Sequence, residues 1–461
     1  MKLLTHSNAP DAKIGILERT AYMGGNIGIA LLNTIVASFV MFYYTDVMML
    51  NPAIIGTILL ASRIFDGVTD LLMGVIVDHT RSKIGKGRVW ILRMCVPFAI
   101  SGVLMLSVPS ASSELIQYIY VAITYNLFNS ICLTAVYVPY NSMTVSMTND
   151  PYERGILGIF VMFGAIIGTL AVQSTVDSMT KALGGGPAAW RTAGIVYALI
   201  GLALHLFCFF CTKERNIPVA SEQKKIPVKD EIHSVLTNKY WLIVIGAVFF
   251  TLFFTGMVGG SGMYYAKGIL GDTAHYATVA NALSIAQLIG MFLAFIPMKK
   301  LGKRNTMMLG LCIVAIVSIV QYFLGGNLVA VLVCNALRGI GAALAAAVLY
   351  GMVADTIDYG EWRSGISAAG IGSSAMTFVT KVAGGLSSAL IGFLMDSSAY
   401  DATKAIQSET AVRAINLCYT LIPVICVVIA LVLLSFYKLD KIFPQIQNDL
   451  TARRGSMNYE A

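Results

Sequence analysis

Residues 56–77 read GTILLASRIFDGVTDLLMGVIV, an apolar stretch that carries Asp66 and Asp70. Its length and apolarity predict a membrane-spanning helix. Because the two aspartates are four residues apart, both carboxylates project from one face of that helix. An ionised carboxylate is costly in hydrocarbon and two repel each other, so a positive group lies between them or one takes up a proton. The pair therefore predicts the coupling-ion site of a transporter. The alternative, that Asp66 only pairs with Arg63 one turn away, leaves Asp70 unexplained.

The composition places the whole chain in a bilayer. Of the 461 residues 57% are hydrophobic and 12% are charged, and the mean hydropathy is +0.75. Soluble chains carry about 25% charged residues. We therefore expect membrane lipid around the protein. The net charge of +8 indicates topology, as its distribution shows, and no nucleic-acid partner.

Apolar runs of membrane-spanning length, about 20 residues, recur along the chain. Twelve can be drawn, at 20–44, 53–77, 90–108, 115–143, 155–175, 191–211, 240–266, 276–297, 306–324, 328–354, 367–394 and 414–437. This pattern predicts an all-α membrane protein with twelve transmembrane helices.

The basic residues are distributed unevenly between the two sides of these spans. Of the 32 lysines and arginines, 24 lie on the side that carries both termini. Five lie on the opposite side, and three, Arg63, Arg338 and Lys381, lie within spans. By the positive-inside rule both termini are cytoplasmic. We expect a multi-pass protein of a bacterial-type plasma (inner) membrane.

The longest cytoplasmic connection divides the spans into six plus six. We expect an N-terminal bundle over 1–211, a cytoplasmic linker over 212–239, and a C-terminal bundle with a cytoplasmic tail over 240–461. The sequence KIGK at 83–86 follows the second span, and KLGK at 300–303 follows the eighth, 217 positions later. Such parallel halves favour alternating access around a midplane site.

Several segments resemble the glycoside–pentoside–hexuronide:cation symporter family, the melibiose-permease-like branch of the major facilitator superfamily. They are FYYTD at 42–46, RIFDGVTD at 63–70, GKGRVW at 85–90, VPY at 138–140, ADTIDYGEW at 354–362 and Lys381. The resemblance implies a major facilitator fold of two six-helix bundles. It also implies secondary import of a small glycoside or sugar acid by symport with Na⁺ or H⁺, without a cofactor and as a monomer.

The resemblance also implies a cation site. In the family, two acids of the second helix, the polar residue before the second acid and a fourth-helix Thr coordinate the ion. These positions match Asp66, Asp70, Thr69 and Thr134. The melibiose permease has an amide where this chain has Thr69, whose hydroxyl still offers an oxygen to a hard cation. Na⁺ at Asp66 and Asp70 is therefore possible, and H⁺ stays open.

The expected sugar site departs from the melibiose pattern. Neutral Asn26 and Tyr137 stand where acids grip the sugar, and Asn141 stands where a Trp stacks. Tyr137 and Tyr140, on either side of Pro139, are the aromatic residues that we expect in the cavity.

The charged residues within the predicted spans indicate the charge of the substrate. Asp66 and Asp70 contribute −2, whereas Arg63, Arg338 and Lys381 contribute +3. If Arg63 and a cation balance the aspartates, Arg338 and Lys381 remain for an anion, and Arg binds carboxylate or sulfonate bidentately. We therefore expect an anionic uronide or sulfonated sugar. Alternatively, Lys381 belongs to the coupling network, Arg338 snorkels outward, and the substrate is a neutral pentoside or oligosaccharide.

Charged residues at the cytoplasmic ends of the spans predict a gate. The resemblance implies salt bridges between the two halves when the transporter is open outward. The candidates are Arg154, Arg304, Asp355, Asp358, Glu361 and Arg363. The alternative is that they are ordinary positive-inside charges.

An enzyme or a channel fits the sequence less well. A membrane enzyme would need a nucleophile, a metal cluster or a His-based site within a span. The five histidines are scattered, and His205 alone lies inside a predicted span. A repeated twelve-span chain with a carboxylate pair favours a carrier over a channel.

Overall fold

The computed structural model describes residues 13–80, 82, 84–148, 150–215, 228–366, 369–404 and 406–457. Within these residues every regular element is a helix. The helices that match the predicted spans are α1 Ile16–Val47, α2 Pro52–Asp78, α3 Lys86–Met105, α4 Glu114–Met147, α5 Pro151–Ala182, α6 Pro187–Cys211, α8 Lys239–Gly268, α9 His275–Leu293, α10 Phe295–Leu324, α11 Leu328–Ser364, α12 Ala369–Ser397 and α13 Glu409–Ser435. Two short α-helices, α7 Val228–Leu236 and α14 Phe443–Met457, and a 3₁₀ turn at Leu439–Lys441 lie outside them. The middle of the predicted linker, 216–227, is outside the described residues.

Eleven of the described helices are long and apolar enough to cross a membrane. The remaining span is α2, which has 27 residues and is therefore about 40 Å long, more than the hydrocarbon core of about 30 Å. It carries the two aspartates and Arg63 in its middle. The prediction of an all-α membrane fold is confirmed.

Two compact units can be distinguished by their internal contacts. Unit 1 contains the chain up to Ser221 with Gly259–Asn281 and Ser388–Ala414, and unit 2 contains Glu222–Val258, Ala282–Ser387 and the chain from Ile415. The division into bundles on either side of 212–239 stays a prediction.

Local sequence sets the start of α2. The Asn51 side chain accepts hydrogen bonds from the backbone N–H groups of Ala53 and Ile54, and Pro52 occupies the first helical position. An Asn cap followed by Pro satisfies the free donors at a helix start. The helix then packs against α4 within unit 1.

The glycines of the two KxGK copies both have positive φ. Gly85 precedes α3 with φ of 113°, and Gly302 interrupts α10 with φ of 81°. Positive φ is unfavourable for residues with a Cβ, so both positions require glycine. The sequence placed a loop at 298–305, and within it two helical segments meet at Gly302, whose backbone is not helical.

A reciprocal capping arrangement follows each glycine. In unit 1 the Glu214 carboxylate accepts three backbone N–H groups at the start of α3, at 2.7–2.9 Å. Arg88 in turn donates to the carbonyl oxygen of Phe209 near the end of α6, at 2.7 Å. In unit 2 Asp440 accepts the N–H of Arg304 at 3.0 Å, and the Arg304 side chain donates to carbonyls at the end of α13. A carboxylate at the start of a helix and a cation at its end both interact favourably with the helix dipole.

Candidate functional site

The two aspartates of α2 converge on one hydroxyl of α4. Thr134 Oγ1 lies 2.8 Å from Asp70 Oδ1 and 3.2 Å from Asp66 Oδ1. Asp66 is 1% exposed, whereas Asp70 is half-buried. Because the hydroxyl has one hydrogen, it can donate to only one carboxylate at a time. The three oxygens form a compact, negatively charged set that suits a hard cation.

Two further side chains complete the surroundings of Asp66. Asn129 donates its amide nitrogen to Asp66 Oδ2 at 2.8 Å. Arg63 lies 3.9 Å from the same oxygen and donates to Asn129 Oδ1 at 3.2 Å. Asp66 therefore forms an ion pair with Arg63 and also shares the Thr134 hydroxyl with Asp70. Sequence reasoning missed Asn129, whose one signal is a polar amide in an apolar span five residues before Thr134.

The backbone of α4 explains how Asn129 reaches α2. Residues Leu127–Leu133 form a π-helical segment between two α-helical stretches. π-Helical turns widen a helix locally and are frequent at functional sites. The segment contains Asn129 and ends directly before Thr134. Both side chains that contact α2 therefore lie at the transition from π-helix to α-helix.

Thr69 is placed differently from its expected role. Its hydroxyl donates to the backbone carbonyl oxygen of Asp66, one turn back in the same helix, at 2.9 Å. The structure therefore does not bring the Thr69 hydroxyl to the two carboxylates. Its role as a cation ligand stays a prediction.

Two candidates for the sugar site are engaged in helix packing. Asn26 is buried and donates to the carbonyl oxygen of Val161 on α5 at 2.6 Å. Tyr140 is fully buried and stacks on Tyr22 with ring centroids 4.5 Å apart. Each of these tyrosine hydroxyls donates to the other's backbone carbonyl, at 2.6 and 2.8 Å. Both placements favour a structural role.

The other two candidates on α4 are exposed. Tyr137 is 48% exposed, and Asn141 is exposed as well. They follow Thr134 by three and seven residues, so all three side chains lie along one helix face. This face turns toward the aspartates of α2 at Thr134. A ligand on Tyr137 and Asn141 would therefore lie one or two helical turns from the carboxylate pair.

The intramembrane cations of unit 2 differ in exposure. Arg338 is 0% exposed. Its guanidinium donates to Gln321 Oε1 at 2.6 Å and to Asn335 Oδ1 at 3.4 Å, and it lies over the Tyr419 ring at 5.0 Å. Lys381 on α12 is half-buried. The buried Arg338 guanidinium thus contacts polar and aromatic side chains of its own unit.

Several predicted gate residues have partners within their own unit. In unit 2 Asp355 pairs with Lys303 at 2.6 Å, and Arg363 donates to the carbonyl oxygen of Thr237 at 3.1 Å. Asp358 and Glu361 follow Asp355 along α11, and Arg304 caps α13. In unit 1 Arg154 donates to the carbonyl oxygen of Thr148 at 2.8 Å. Their role as a gate between halves stays a prediction.

Two ion pairs that the sequence did not predict lie at the start of α1. Glu18 and Arg215, 2% and 1% exposed, form a bidentate pair at 2.8 and 2.9 Å. Arg19 pairs with Glu153 of α5 at 2.7 Å. They connect α1 with α5 and with the segment that follows α6. Sequence reasoning missed them because the partners are 134 and 197 residues apart.

Comparisons with known proteins show the family of the chain and a likeness of fold. The family described as MFS/sugar transport protein matches residues 21–441. The isoprimeverose transporter of Lactiplantibacillus pentosus is 30% identical, with 96% of this chain and 92% of the relative covered. The inner membrane symporter YicJ of Escherichia coli K12 is 28% identical over 92% of each chain. A putative sulfoquinovose importer of the same strain is 24% identical over 98% of this chain and 97% of the relative. Among solved structures, the nucleoside transporter NupG has a TM-score of 0.60 at 14% identity, with 92% of this chain and 100% of that chain covered, which is a likeness of fold.

Proposed function

Because this chain belongs to the MFS/sugar transport protein family, and is thus a membrane transporter of sugars and not an enzyme, we propose that it is a symporter. It imports a small glycoside with Na⁺ or H⁺ by alternating access. The observation that carries the proposal is the hydroxyl of Thr134 within 3.2 Å of two carboxylates from the adjacent helix. Relatives include a protein named as a putative glycoside/cation symporter.

The charge of the site favours cation binding. Two carboxylates and one guanidinium, those of Asp66, Asp70 and Arg63, give one net negative charge in a membrane helix. An uncompensated charge is costly in a low-dielectric environment, and a bound cation would neutralise it. Oxygens from α2 and α4 would then be held together by the ion, so binding would couple the two helices.

Na⁺ fits this arrangement better than H⁺ does. A proton needs a single carboxylate, whereas Na⁺ needs several oxygens, and the site offers Asp66, Asp70 and Thr134 oxygens together. The Asp66 carboxylate also accepts a hydrogen bond from Asn129 and lies 3.9 Å from Arg63, so two side chains already hold one of the oxygen ligands in place.

Transport by reconstituted protein tests the cation site. Asp70→Asn should abolish accumulation of labelled glycoside driven by a Na⁺ gradient in proteoliposomes. The control is Asp401→Asn, which removes a carboxylate from the loop after α12 and should leave uptake unchanged. If Asp70→Asn concentrates substrate at the native rate, the cation binds elsewhere. If a proton gradient alone drives native uptake, the ion is H⁺.

The exposed face of α4 is the proposed sugar contact. Tyr137 offers an aromatic face for a sugar ring, and Asn141 offers an amide for hydroxyl groups. Arg338 was expected to bind an anionic group, but its burial against Gln321 and Asn335 favours a structural role. The geometry thus supports a neutral glycoside best. Lys381, which is half-buried, keeps an anionic sugar as the second candidate.

A binding screen separates the two substrate classes. Purified protein is tested with neutral glycosides, uronides and sulfonated sugars, with and without Na⁺, and the screen is repeated on Arg338→Gln and Lys381→Gln. A neutral substrate predicts binding that is insensitive to the charge at both positions, provided that the variants fold. An anionic substrate predicts loss of affinity in at least one of them.

We further propose that the protein lies in the plasma membrane with both termini in the cytoplasm. The excess of lysine and arginine on the terminus-facing side supports this orientation. The outer side is then the one to which α1, α8 and α12 point at their C-terminal ends. On the cytoplasmic side, Arg154, Asp355 and Asp358 form the proposed inner gate.

A further inference from the structure

A buried carboxylate lies in the last turns of α1, at the outer side. The side chain of Asp46 is 2% exposed. Lys267 of α8 places its Nζ atom 2.6 Å from Asp46 Oδ1, and Tyr400, which follows α12, donates its hydroxyl to the same oxygen at 2.6 Å. All three residues belong to unit 1. Both partners are thus more than 200 residues from Asp46 in the sequence and bind the same carboxylate.

Neighbouring polar groups complete the cluster. Thr45 lies 2.9 Å from the second carboxylate oxygen of Asp46 and 2.6 Å from the hydroxyl of Tyr264. Lys267 also donates to the carbonyl oxygen of Ala402 at 3.0 Å. Burial, together with the charge of Asp46, raises the pKa of Tyr400 well above its ordinary value. Tyr400 therefore stays protonated and remains a donor to the carboxylate.

The backbones of α2 and α12 approach closely at the same side. A Cβ on Gly56 would lie 2.9 Å from Ala389 Cα, and a Cβ on Gly392 would overlap the carbonyl oxygen of Pro52. Such small-residue contacts allow transmembrane helices to pack at short distance. The outer ends of helices from the two sequence halves are thus packed tightly where the Asp46 cluster lies.

We propose that Asp46, Lys267 and Tyr400 form an outer lock, a set of positioning residues that stabilises the transporter closed toward the outside. This lock rests on the proposed alternating-access function. Opening toward the outside would separate α1 from α8 and from the segment after α12, and would hydrate Asp46 and Lys267. Desolvation offsets much of the attraction within a buried ion pair, but removing one partner leaves the other charge uncompensated in the closed state, which is strongly unfavourable.

The chain contains a matched control on the same side. Lys181 at the end of α5 contacts Asp272, in the loop after α8, at 2.8 Å, so this pair also connects the two sequence halves within unit 1. The side chains are 47% and 56% exposed, however, against 23% and 2% for Lys267 and Asp46. An exposed ion pair contributes little because water screens both charges in either conformation. Loss of the buried pair should therefore shift the conformational equilibrium, and loss of the exposed pair should not.

Electron–electron double resonance measures this equilibrium directly. Spin labels are attached to Ala111→Cys and Ala274→Cys, two exposed loop positions on the outer side, after replacement of the eight native cysteines. The measurement is made without sugar and without Na⁺, so it does not depend on the cation or substrate assignments. Asp46→Asn should increase the ratio of long-distance to short-distance populations about tenfold or more. Tyr400→Phe should shift it in the same direction by less.

The controls decide between a lock and a merely structural cluster. Exchange of the two charges, Asp46→Lys with Lys267→Asp, should restore the short distance at least in part, whereas Asp272→Asn should leave the distribution unchanged. If Asp46→Asn does not fold, Tyr400→Phe carries the test. An unchanged distribution in the folded variants, or an equal shift in Asp272→Asn, would overturn the lock and leave the cation site untouched.

Discussion

Replacement of Thr134 by Val tests the contribution of a single hydroxyl group to the proposed cation site. Valine keeps the β-branched shape and removes the oxygen that lies 2.8 Å from Asp70 and 3.2 Å from Asp66. The hydroxyl can keep donating to one carboxylate while its lone pairs face a cation, so its loss removes an oxygen ligand from the bound state. We expect weaker Na⁺ binding with little change in fold.

The magnitude follows from the type of contact. Polar contacts to charged groups contribute about 1.5–3 kcal/mol, and about 1.4 kcal/mol corresponds to a tenfold change in affinity. The Kd for Na⁺ should therefore rise about tenfold to hundredfold in Thr134→Val. Isothermal titration calorimetry of purified protein measures this change, and a thermal melt confirms that the variant is folded.

Two further variants make the result specific. Thr134→Ser keeps the oxygen and should bind Na⁺ almost as the native protein does. Thr69→Val removes a hydroxyl that donates to the backbone of its own helix, so it should also leave Na⁺ affinity close to native. Native affinity in Thr134→Val would refute the ligand assignment, and a large loss in Thr69→Val would show that the family's four-residue site applies here after all.

Two remaining predictions concern the cytoplasmic side. Glu214→Ala removes the acceptor of three N–H groups at the start of α3 and should reduce the free energy of unfolding by about 1–2 kcal/mol, measured by thermal or denaturant melting. Asp440→Ala, whose described backbone donor is Arg304 alone, should cost less, and equal losses would contradict this reasoning. Asp358→Asn should shift the population toward inward-open, seen as increased thiol labelling from the cytoplasmic side; an unchanged labelling pattern would count against the gate.

The sequence predicts the membrane fold well because that fold depends on local composition. Apolar runs of fixed length and a one-sided distribution of basic residues suffice to place the spans. Family membership confirms the resemblance drawn from segments such as the one around Asp355. The break before the span predicted at 306–324 corresponds to Gly302, where two helical segments meet across a non-helical residue.

Contacts between distant segments are less predictable. Asp66 and Asp70 could be identified because their relation is internal to one helix. Asn129 could not, since the π-helical segment changes the register of α4 and the sequence gives no sign of it. A sum of charges places Arg338 near the substrate but does not show its contacts with Gln321 and Asn335, and its substrate role stays a prediction.

The two buried carboxylate clusters of unit 1 differ in charge balance, and this difference fits their proposed roles. At the outer side Asp46 and Lys267 cancel, and Tyr400 adds a neutral donor. A cluster that is already neutral gains little from binding an ion, whereas separating its partners would leave charges uncompensated, so its effect is on the packing of the helices that carry it. At the midpoint of α2, Asp66 and Asp70 exceed Arg63 by one negative charge. We propose that a cation from solution binds to these carboxylates, which would make the site responsive to the ion gradient, while the balanced cluster would respond to the separation of its helices. A symporter needs both kinds of site, because ion binding must be reversible and closure must not depend on the ion alone.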